Sequence, residues 1–392
     1  MGRVAFGTAA LALTLLGCRA ILGIEDLEDD TALQDGATPT TDGSIGDGEV
    51  FADDSGPFDS GFAPDGCAYG DDASTMWGIT QLAVGSTFSC ALPRDAKEFY
   101  CWGFLGGPES LPHTSKPAPK KFQTTGTSPI AQIVAGDDFV CALTQAEEVR
   151  CWGMNDVGQS DPNPGNLTPD GGVSSHSVDF VTLPTSLAAG GVHVCAVGSQ
   201  GKPVQCWGSN ARLALGTGTP TTLTSSLLFA PDASAVASGA AHSCALLNDG
   251  GVRCWGDDAF GELGNGTALT DGGFSPMAAF GGFAVHDVVA GGNNTCVRTD
   301  AGFECVGRDD TGQLDDSKSL SVTSPTLFSR ITPATDVRSL MFTNAFSCAI
   351  TNSGDLHCWG KPLKYDLTKD EGLNGLVQLA GGSALGRVTA VA

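Results

Sequence analysis

Six cysteine pairs recur along the chain at a nearly constant spacing, and this repeat constrains the fold more than any other feature. The first cysteines of successive pairs are 49 to 54 residues apart, and Trp-Gly follows the second cysteine in every pair but one, where Val306-Gly307 stands. Such a period indicates an array of similar units that share a core. The pairs are Cys90 with Cys101, Cys141 with Cys151, Cys195 with Cys206, Cys244 with Cys254, Cys296 with Cys305, and Cys348 with Cys358.

Each repeat predicts a β-hairpin whose two cysteines face each other. In the fourth repeat, residues 242–247 and 252–256 alternate like strands, and Asn248-Asp249-Gly250-Gly251 between them is typical of a turn. Counting from the turn places Cys244 opposite Cys254 on antiparallel strands, where side chains on one face approach closely. With 54 glycines and few helix-like stretches, the chain is predicted to be all-β.

Several short motifs recur at corresponding places of the repeats. They include Val289-Ala290-Gly291 before Cys296, Cys141-Ala142-Leu143, Cys206-Trp207-Gly208-Ser209-Asn210, and Gly261-Glu262-Leu263-Gly264. Together these motifs resemble the repeats of the regulator of chromosome condensation family, and the resemblance covers residues 76–392. It implies a seven-bladed β-propeller. The small residues that head each repeat are expected on strands crowded around the propeller axis.

Seven blades require one repeat more than the cysteine hairpins supply. Residues 377–388 are similar to the first half of a repeat, with Gly386 where a cysteine is expected, and Met76-Trp77-Gly78 is similar to a second half. Because unpaired ends would leave an exposed edge strand, we expect the N- and C-terminal strands to pair and close the ring. Six blades with unpaired ends is the alternative.

The amino terminus predicts export. Arg3 is followed by an apolar run, and Leu15-Leu16-Gly17-Cys18 resembles the lipobox of bacterial lipoproteins. The resemblance implies that residues 1–17 are a signal peptide, that Cys18 is lipidated, and that Arg19 favours the outer membrane. An ordinary secretory signal peptide is the alternative, and it also predicts export.

A strongly acidic segment follows the signal. Residues 20–75 contain 15 Asp or Glu and no Lys or Arg. The negative charge of this segment is therefore more than half of the net charge of −24. Such a composition predicts that residues 18–75 are a disordered acidic linker. Its reach is roughly 40 Å, so it would hold the propeller of residues 76–392 away from a membrane.

Export affects the predicted state of the 14 cysteines. In an oxidising compartment the six pairs are expected to be disulfides, each stabilising the fold by about 2–3 kcal/mol. The alternative is that they remain thiols, which intracellular relatives carry as small buried apolar groups. Cys67 is left over without an assigned partner.

Metal and catalytic sites are not predicted, and neither is a cofactor. His193 and His242 each precede a cysteine by two residues, which could suggest a zinc ligand set. Aromatic or amide residues take this position in other repeats, so the histidines are interpreted as packing residues. The acidic pairs Asp257-Asp258 and Asp309-Asp310 lack the alternation of a calcium loop. At the position of His193 and His242, the other four repeats carry Phe88, Phe139, Asn294 and Phe346.

The loops after Trp-Gly vary between repeats and are the predicted recognition elements. Phe104, Leu105, Met154 and Phe260 are the candidate binding residues, unless they fold inward beneath their own loops. We predict a noncatalytic, monomeric protein-binding scaffold in the bacterial cell envelope, with an unknown protein partner and membrane contact through the lipid alone.

Two other functions are compatible with this surface: an inhibitor of an extracellular enzyme, or a carbohydrate-binding protein. The nuclear roles of the family, nucleotide exchange and chromatin binding, do not carry over. The chain is acidic and exported and has no basic patch for nucleic acid.

Overall fold

A computed structural model describes most of the repeat region in detail. It covers residues 79–105, 119–124, 126–163, 166–167, 176–177, 183–199, 203–216, 226–227, 232–266, 272–276, 284–300, 302–310, 312–314, 329–330, 337–343, 346–352, 356–360 and 375–376.

These residues form 24 β-strands in six antiparallel sheets of four strands each, and within each sheet the strands lie in chain order. No helix in this part of the chain is long and apolar enough to cross a membrane. Each sheet is called a blade and numbered from the N-terminus. The strands of blades 1 to 3 are β1 Ile79–Val84, β2 Phe88–Pro93, β3 Glu98–Gly103, β4 Lys120–Gln123, β5 Ile130–Ala135, β6 Phe139–Thr144, β7 Val149–Gly153, β8 His176–Ser177, β9 Pro184–Ala189, β10 His193–Gly198, β11 Val204–Gly208 and β12 Ser226–Leu227. Those of blades 4 to 6 are β13 Ala233–Ser238, β14 His242–Leu247, β15 Val252–Gly256, β16 Gly272–Pro276, β17 Val285–Gly291, β18 Asn294–Thr299, β19 Gly302–Gly307, β20 Ser329–Arg330, β21 Val337–Phe342, β22 Phe346–Thr351, β23 Leu356–Gly360 and β24 Gly375–Leu376.

The blades are arranged as in a β-propeller. The first strand of each blade contacts the first strand of the next, from β1 through β5, β9, β13 and β17 to β21. This confirms the all-β propeller predicted from the repeats. The residues assigned to a seventh blade, 76–78 and 377–392, lie outside the described ranges, so seven blades and closure of the ring stay predictions.

All six cysteine pairs form disulfides between the second and third strands of their blades. In the fourth blade, for example, Cys244 is the register partner of Cys254, and their Cα atoms are 4.0 Å apart. The twelve cysteines are almost completely buried. Each disulfide therefore braces one blade from within.

The small residues that head each repeat lie where neighbouring blades approach most closely. A Cβ atom added to Gly136 would meet the ring of Phe139 and lie 2.7 Å from the carbonyl oxygen of Gly190 in the next blade. Gly190 stands in the same relation to Gly239, whose carbonyl oxygen is 2.5 Å from the added atom. The expectation of crowding around the axis is confirmed.

Tryptophans seal the contacts between blades, which we call seams. The indole of Trp207 is fully buried, and its Nε1 donates a hydrogen bond to the carbonyl oxygen of Gln159 in blade 2. Trp255 donates in the same way to Ala214, and Trp359 donates to Gln313. Blades 3, 4 and 6 are thus fixed to the loop of the preceding blade. Blade 5 carries Val306 at this position, which offers no such donor.

Candidate functional site

One face of the propeller carries two sets of loops, and we call it the loop face. The first set comprises the turns between the first and second strands of each blade, and the second set comprises the loops that follow Trp-Gly or Val-Gly. Backbone hydrogen bonds of 2.8 to 3.0 Å join the sets in five blades. The donors are the amides of Phe104, Met154, Ser209, Asp257 and Arg308, and the acceptors are the carbonyls of Thr87, Asp138, Val192, Ala241 and Asn293.

The turns of the first set are also bonded to one another around the axis. The amide of Ser86 donates to the carbonyl of Asp137, 3.0 Å away in the next blade, and the amide of Asp137 donates to the carbonyl of Gly191. Gly191 and Ala240 continue the series, so that it ends at the carbonyl of Gly292. The backbone at the centre of the loop face is therefore held rigidly.

A buried Asn or Asp holds the loop of the second set in blades 2 to 5. This residue is the second after Trp-Gly or Val-Gly, and its Oδ1 accepts the amide five residues further along at 2.8 to 3.1 Å. Burial raises the pKa of Asp258, which is one of the four. This role was not predicted from the sequence, where the two aspartates were considered only as calcium ligands. The four residues are Asn155, Asn210, Asp258 and Asp309.

This fixed backbone presents different chemistry at corresponding places. Immediately after the glycine, the five blades carry an aromatic ring, a thioether, a hydroxyl, a carboxylate and a guanidinium, and all five side chains are half-buried. The central turns add exposed hydroxyl, carboxylate and aliphatic groups. The five residues that directly follow the glycine are Phe104, Met154, Ser209, Asp257 and Arg308. The exposed residues of the central turns are Ser86, Thr87, Asp137 and Val192.

One of the four candidate binding residues is not at the surface. Leu105 is only 3% exposed and packs in the core cluster that contains Phe122 of β4 and Trp152 of blade 2. Its selection as an exposed binding residue was wrong, because the chain turns inward directly after Phe104 and places Leu105 at the seam.

The other three candidates are half-buried rather than freely exposed. Phe104 and Met154 lie on the loop face next to the central turns. Phe260 lies in the loop of blade 4 and packs against blade 5, with the guanidinium carbon of Arg308 5.0 Å from the centre of its ring. The structure thus places Phe104 and Met154 on the loop face, whereas Phe260 contacts the neighbouring blade.

The loop face is acidic beside blade 2. Partial burial raises the pKa of Asp138, a hydroxyl hydrogen bond from Ser86 opposes this shift, and the charge of Asp156 adds to it. Asp137 keeps an exposed side chain, yet desolvation of its carboxyl and the neighbouring Asp138 raise its pKa as well. This carboxylate pair would favour a cationic group on a partner.

The two histidines that precede cysteines lie inside the seams. Nε2 of His193 is 2.8 Å from Oγ of Ser243, and Nε2 of His242 is 2.8 Å from Oγ1 of Thr295, in each case on the next blade. Burial lowers the pKa of His193 to about 4 and, together with the charge of His193, that of His242 to about 3. Both are neutral packing residues with a polar link between blades. Within the ranges that the structure covers, no cluster of three or more His, Cys, Asp or Glu could hold a metal ion.

Comparison with known proteins agrees with this geometry. Residues 130–159 and 233–262 match the family model of the regulator of chromosome condensation (RCC1) repeat. These segments begin at β5 and β13 and end within the loops after Trp-Gly. The chain contains RCC1 repeats.

Solved structures of RCC1-type propellers resemble the chain over most of its length. Yeast RCC1 (Prp20), solved bound to Kap60, is 20% identical, with 72% of this chain and 70% of that chain covered and a TM-score of 0.62. Prp20p from Saccharomyces cerevisiae, studied for its binding to Gsp1p and histones, is 20% identical, with 72% of each chain covered and a TM-score of 0.61. Human WBSCR16 is 20% identical, with coverage of 73% and 78% and a TM-score of 0.64. At this identity the likeness establishes the fold.

The two matched segments lie in blades 2 and 4, and no match covers the amino-terminal predictions. The signal peptide, Cys18, the acidic linker and Cys67 all lie outside the described residues. They stay predictions from the sequence.

Proposed function

We propose that this RCC1-repeat protein is a noncatalytic scaffold that binds a protein partner through its loop face. One observation carries the proposal: a single rigid backbone arrangement presents five different side-chain chemistries at corresponding positions. Variable side chains on a fixed frame suit selective recognition, because little ordering of the frame is needed on binding. The yeast propellers are reported with protein partners, which is consistent with this role.

The side chains of the loop face indicate how a partner would be held. Met154 and Phe104 supply apolar area, and Val192 beside the central turn is 37% exposed. Asp137 and Asp138 lie on the same face and would attract a basic side chain of the partner. A partner with an apolar anchor flanked by Lys or Arg would match these groups.

The test is a pull-down with the full mature chain, followed by binding measurements with the purified protein that it retains. Val192→Lys places a charge on the loop face, and Ala146→Lys places the same charge on an exposed hairpin turn at the other end of the strands. We expect Val192→Lys to weaken binding at least roughly tenfold, and Ala146→Lys to have no effect. Equal binding by both variants, or retention of a polysaccharide and no protein, would refute the proposal.

We further propose that the scaffold is anchored in the cell envelope by a lipid on Cys18. The lipobox-like sequence supports this assignment, and six buried disulfides are consistent with an oxidising compartment. Metabolic labelling with a palmitate analogue should mark the wild type but not Cys18→Ala. Cys67→Ala is the matched control and should be labelled like the wild type. Labelling of Cys18→Ala would contradict the anchor.

A further inference from the structure

The seam between blades 4 and 5 differs in two residues from the seams between blades 2 and 3, 3 and 4, and 5 and 6. Val306 replaces the tryptophan, so the indole hydrogen bond that Trp207, Trp255 and Trp359 make to the preceding loop is missing here. In addition, the facing loop of blade 4 carries Glu262, a carboxylic acid with 0% exposure.

Glu262 links the two blades across this seam. Its Oε1 accepts a hydrogen bond from Nδ2 of Asn293 in blade 5 at 2.9 Å. Its Oε2 accepts the backbone amide of Phe260 in its own loop at 2.7 Å. Asn293 in turn accepts the amide of Arg308, so the side chain of Glu262 is bonded to the turn that positions the next loop.

The corresponding residues of blades 2 and 5 explain why this link is unusual. Oε1 of Gln159 accepts a hydrogen bond from the backbone amide of Val157, as Oε2 of Glu262 does from that of Phe260. Nε2 of Gln159, however, donates a hydrogen bond to Asp156 within the same loop. Gln313 donates likewise to Asp310. Blade 4 has Ala259 at the place of that aspartate. The second oxygen of Glu262 is therefore directed to the neighbouring blade.

The charges around Glu262 do not favour its ionised form. Burial raises the pKa of Glu262 to about 7, the hydrogen bonds from Asn293 and Phe260 oppose the shift, and Asp257 adds to it. Asp258 in the same loop is also buried with a raised pKa. On the side of blade 5, Arg308 forms its ion pair with Asp310. His242 in β14 has its pKa lowered to about 3 and stays neutral near pH 7.

We propose that Glu262 makes the seam between blades 4 and 5 a pH-sensitive junction, which is tight while this side chain is protonated and opens more readily once it is ionised. The reason is that a buried carboxylate gains hydration when the seam opens, whereas a carboxylic acid does not. The seams that follow blades 2, 3 and 5 have Gln159, Ala214 and Gln313 in place of Glu262 and do not share this property. The junction is independent of the proposed partner.

Hydrogen exchange of the full chain, followed by mass spectrometry, measures the opening of this seam. Relative to Glu262→Gln, which keeps the buried His242 of the same seam, we expect wild-type peptides that cover residues 258–264 and 292–298 to lose protection by roughly tenfold or more between pH 5 and pH 8.5, after correction for intrinsic exchange. The variant inserts the residue that blades 2 and 5 hold at this position, so that only the contribution of the histidines remains. Peptides of the seam between blades 3 and 4, which contains His193, should show the same pH profile in both proteins.

Asp258→Asn is the matched control, because asparagine holds the corresponding loops in Asn155 and Asn210. This variant should keep the pH dependence of the seam. Identical pH profiles of the wild type and Glu262→Gln, or a profile of Asp258→Asn that matches that of Glu262→Gln, would overturn the proposal. If Glu262→Gln fails to fold, carbon-13 NMR of labelled Glu decides: a carboxyl that titrates near pH 7 supports the junction, and titration of all carboxyls near pH 4.5 refutes it.

Discussion

The indole Nε1 of Trp207 lies 3.1 Å from the carbonyl oxygen of Gln159, a residue 48 positions earlier in the loop of the preceding blade. The contact joins the recurring tryptophan of one repeat to the variable loop after Trp-Gly in the preceding repeat. It explains why tryptophan follows the hairpin cysteine: the large ring fills the seam, and its single donor satisfies a buried loop carbonyl. Stability and the geometry of the loop face are thus coupled at each such seam.

Trp207→Ala should strongly destabilise the propeller. Removal of a fully buried indole costs about 3–5 kcal/mol in the free energy of unfolding. Trp207→Phe keeps part of the apolar volume and should cost less. Urea unfolding measures both, with Met154→Ala on the half-exposed loop face as control. A midpoint for Trp207→Ala equal to that of Met154→Ala would show that the seam is not set by this ring.

Phe260→Ala should have a small but measurable effect. Phe260 was predicted to be a surface anchor, whereas its ring packs beneath the guanidinium of Arg308. A partly exposed cation–π contact contributes about 0.5–1 kcal/mol. A double-mutant cycle of Phe260→Leu and Arg308→Gln, followed by thermal unfolding, should give a coupling energy of that size. Strict additivity of the two changes would exclude the contact in solution.

Gly136→Ala should disrupt the packing around the axis. The added methyl group would meet the ring of Phe139 and the carbonyl oxygen of Gly190, and backbone atoms cannot move away cheaply. We expect a loss of about 2–3 kcal/mol in the free energy of unfolding. Gly126→Ala is the control, since its methyl group would approach the flexible end of Glu148 at 3.3 Å and lie at an ordinary contact distance of 3.9 Å from the backbone nitrogen of Ser128. Similar melting temperatures for the two variants would argue against crowding at the axis.

The buried histidines should make the protein sensitive to mild acid. Their folded-state pKa values, about 4 for His193 and about 3 for His242, lie below the unfolded value near 6.5. The unfolded chain therefore binds more protons below pH 6.5, and stability falls as the pH decreases from about 6.5 to about 4. Each histidine contributes a slope of about 1.4 kcal/mol per pH unit in this window.

The histidine effect can be isolated with the double variant His193→Phe and His242→Phe, since phenylalanine holds this position in blades 1 and 2. Urea midpoints between pH 4.5 and pH 7 should depend less on pH in the variant than in the wild type. Carboxyl groups with raised pKa values, such as Glu262, give a slope of the opposite sign in both proteins and cancel in the comparison. If the urea midpoints of the wild type and the double variant changed equally with pH, the buried histidines would not be the cause of the acid sensitivity.

Removal of one disulfide should weaken a single blade. The bond between Cys244 and Cys254 closes a loop with a sequence separation of 10, and its removal costs about 2–3 kcal/mol on the loop-entropy estimate. The double variant Cys244→Ala and Cys254→Ala should lose protection from hydrogen exchange first in blade 4. Unchanged stability of this variant would mean that the bond does not form in the folded protein.

The sequence predicted what depends on local spacing. The hairpins, the position of Cys244 opposite Cys254 and the small residues near Gly136 all follow from patterns within about twenty residues. The buried position of Leu105 was missed because it depends on Trp152, which belongs to another blade. The link between Glu262 and Asn293 joins two repeats and likewise has no signature within either one.

The buried loop anchors also have a signal in the sequence. In several repeats an Asn or Asp is the second residue after Trp-Gly or Val-Gly. Its side chain accepts a hydrogen bond from the backbone amide five residues later, as Asp309 does from Leu314. This spacing could have identified the buried loop anchors. The fourth strand of each blade could not have been found in this way, because the residues between the Trp-Gly loop and that strand vary in number.

The disulfides of the described blades connect only cysteines that are neighbours along the chain. During oxidation each cysteine therefore meets its proper partner before the more distant ones, which limits scrambling among the twelve thiols. The same arrangement has an evolutionary consequence. A gene segment that encodes one repeat could be duplicated or deleted without orphaning a cysteine, so the number of blades could change while oxidative folding stayed intact.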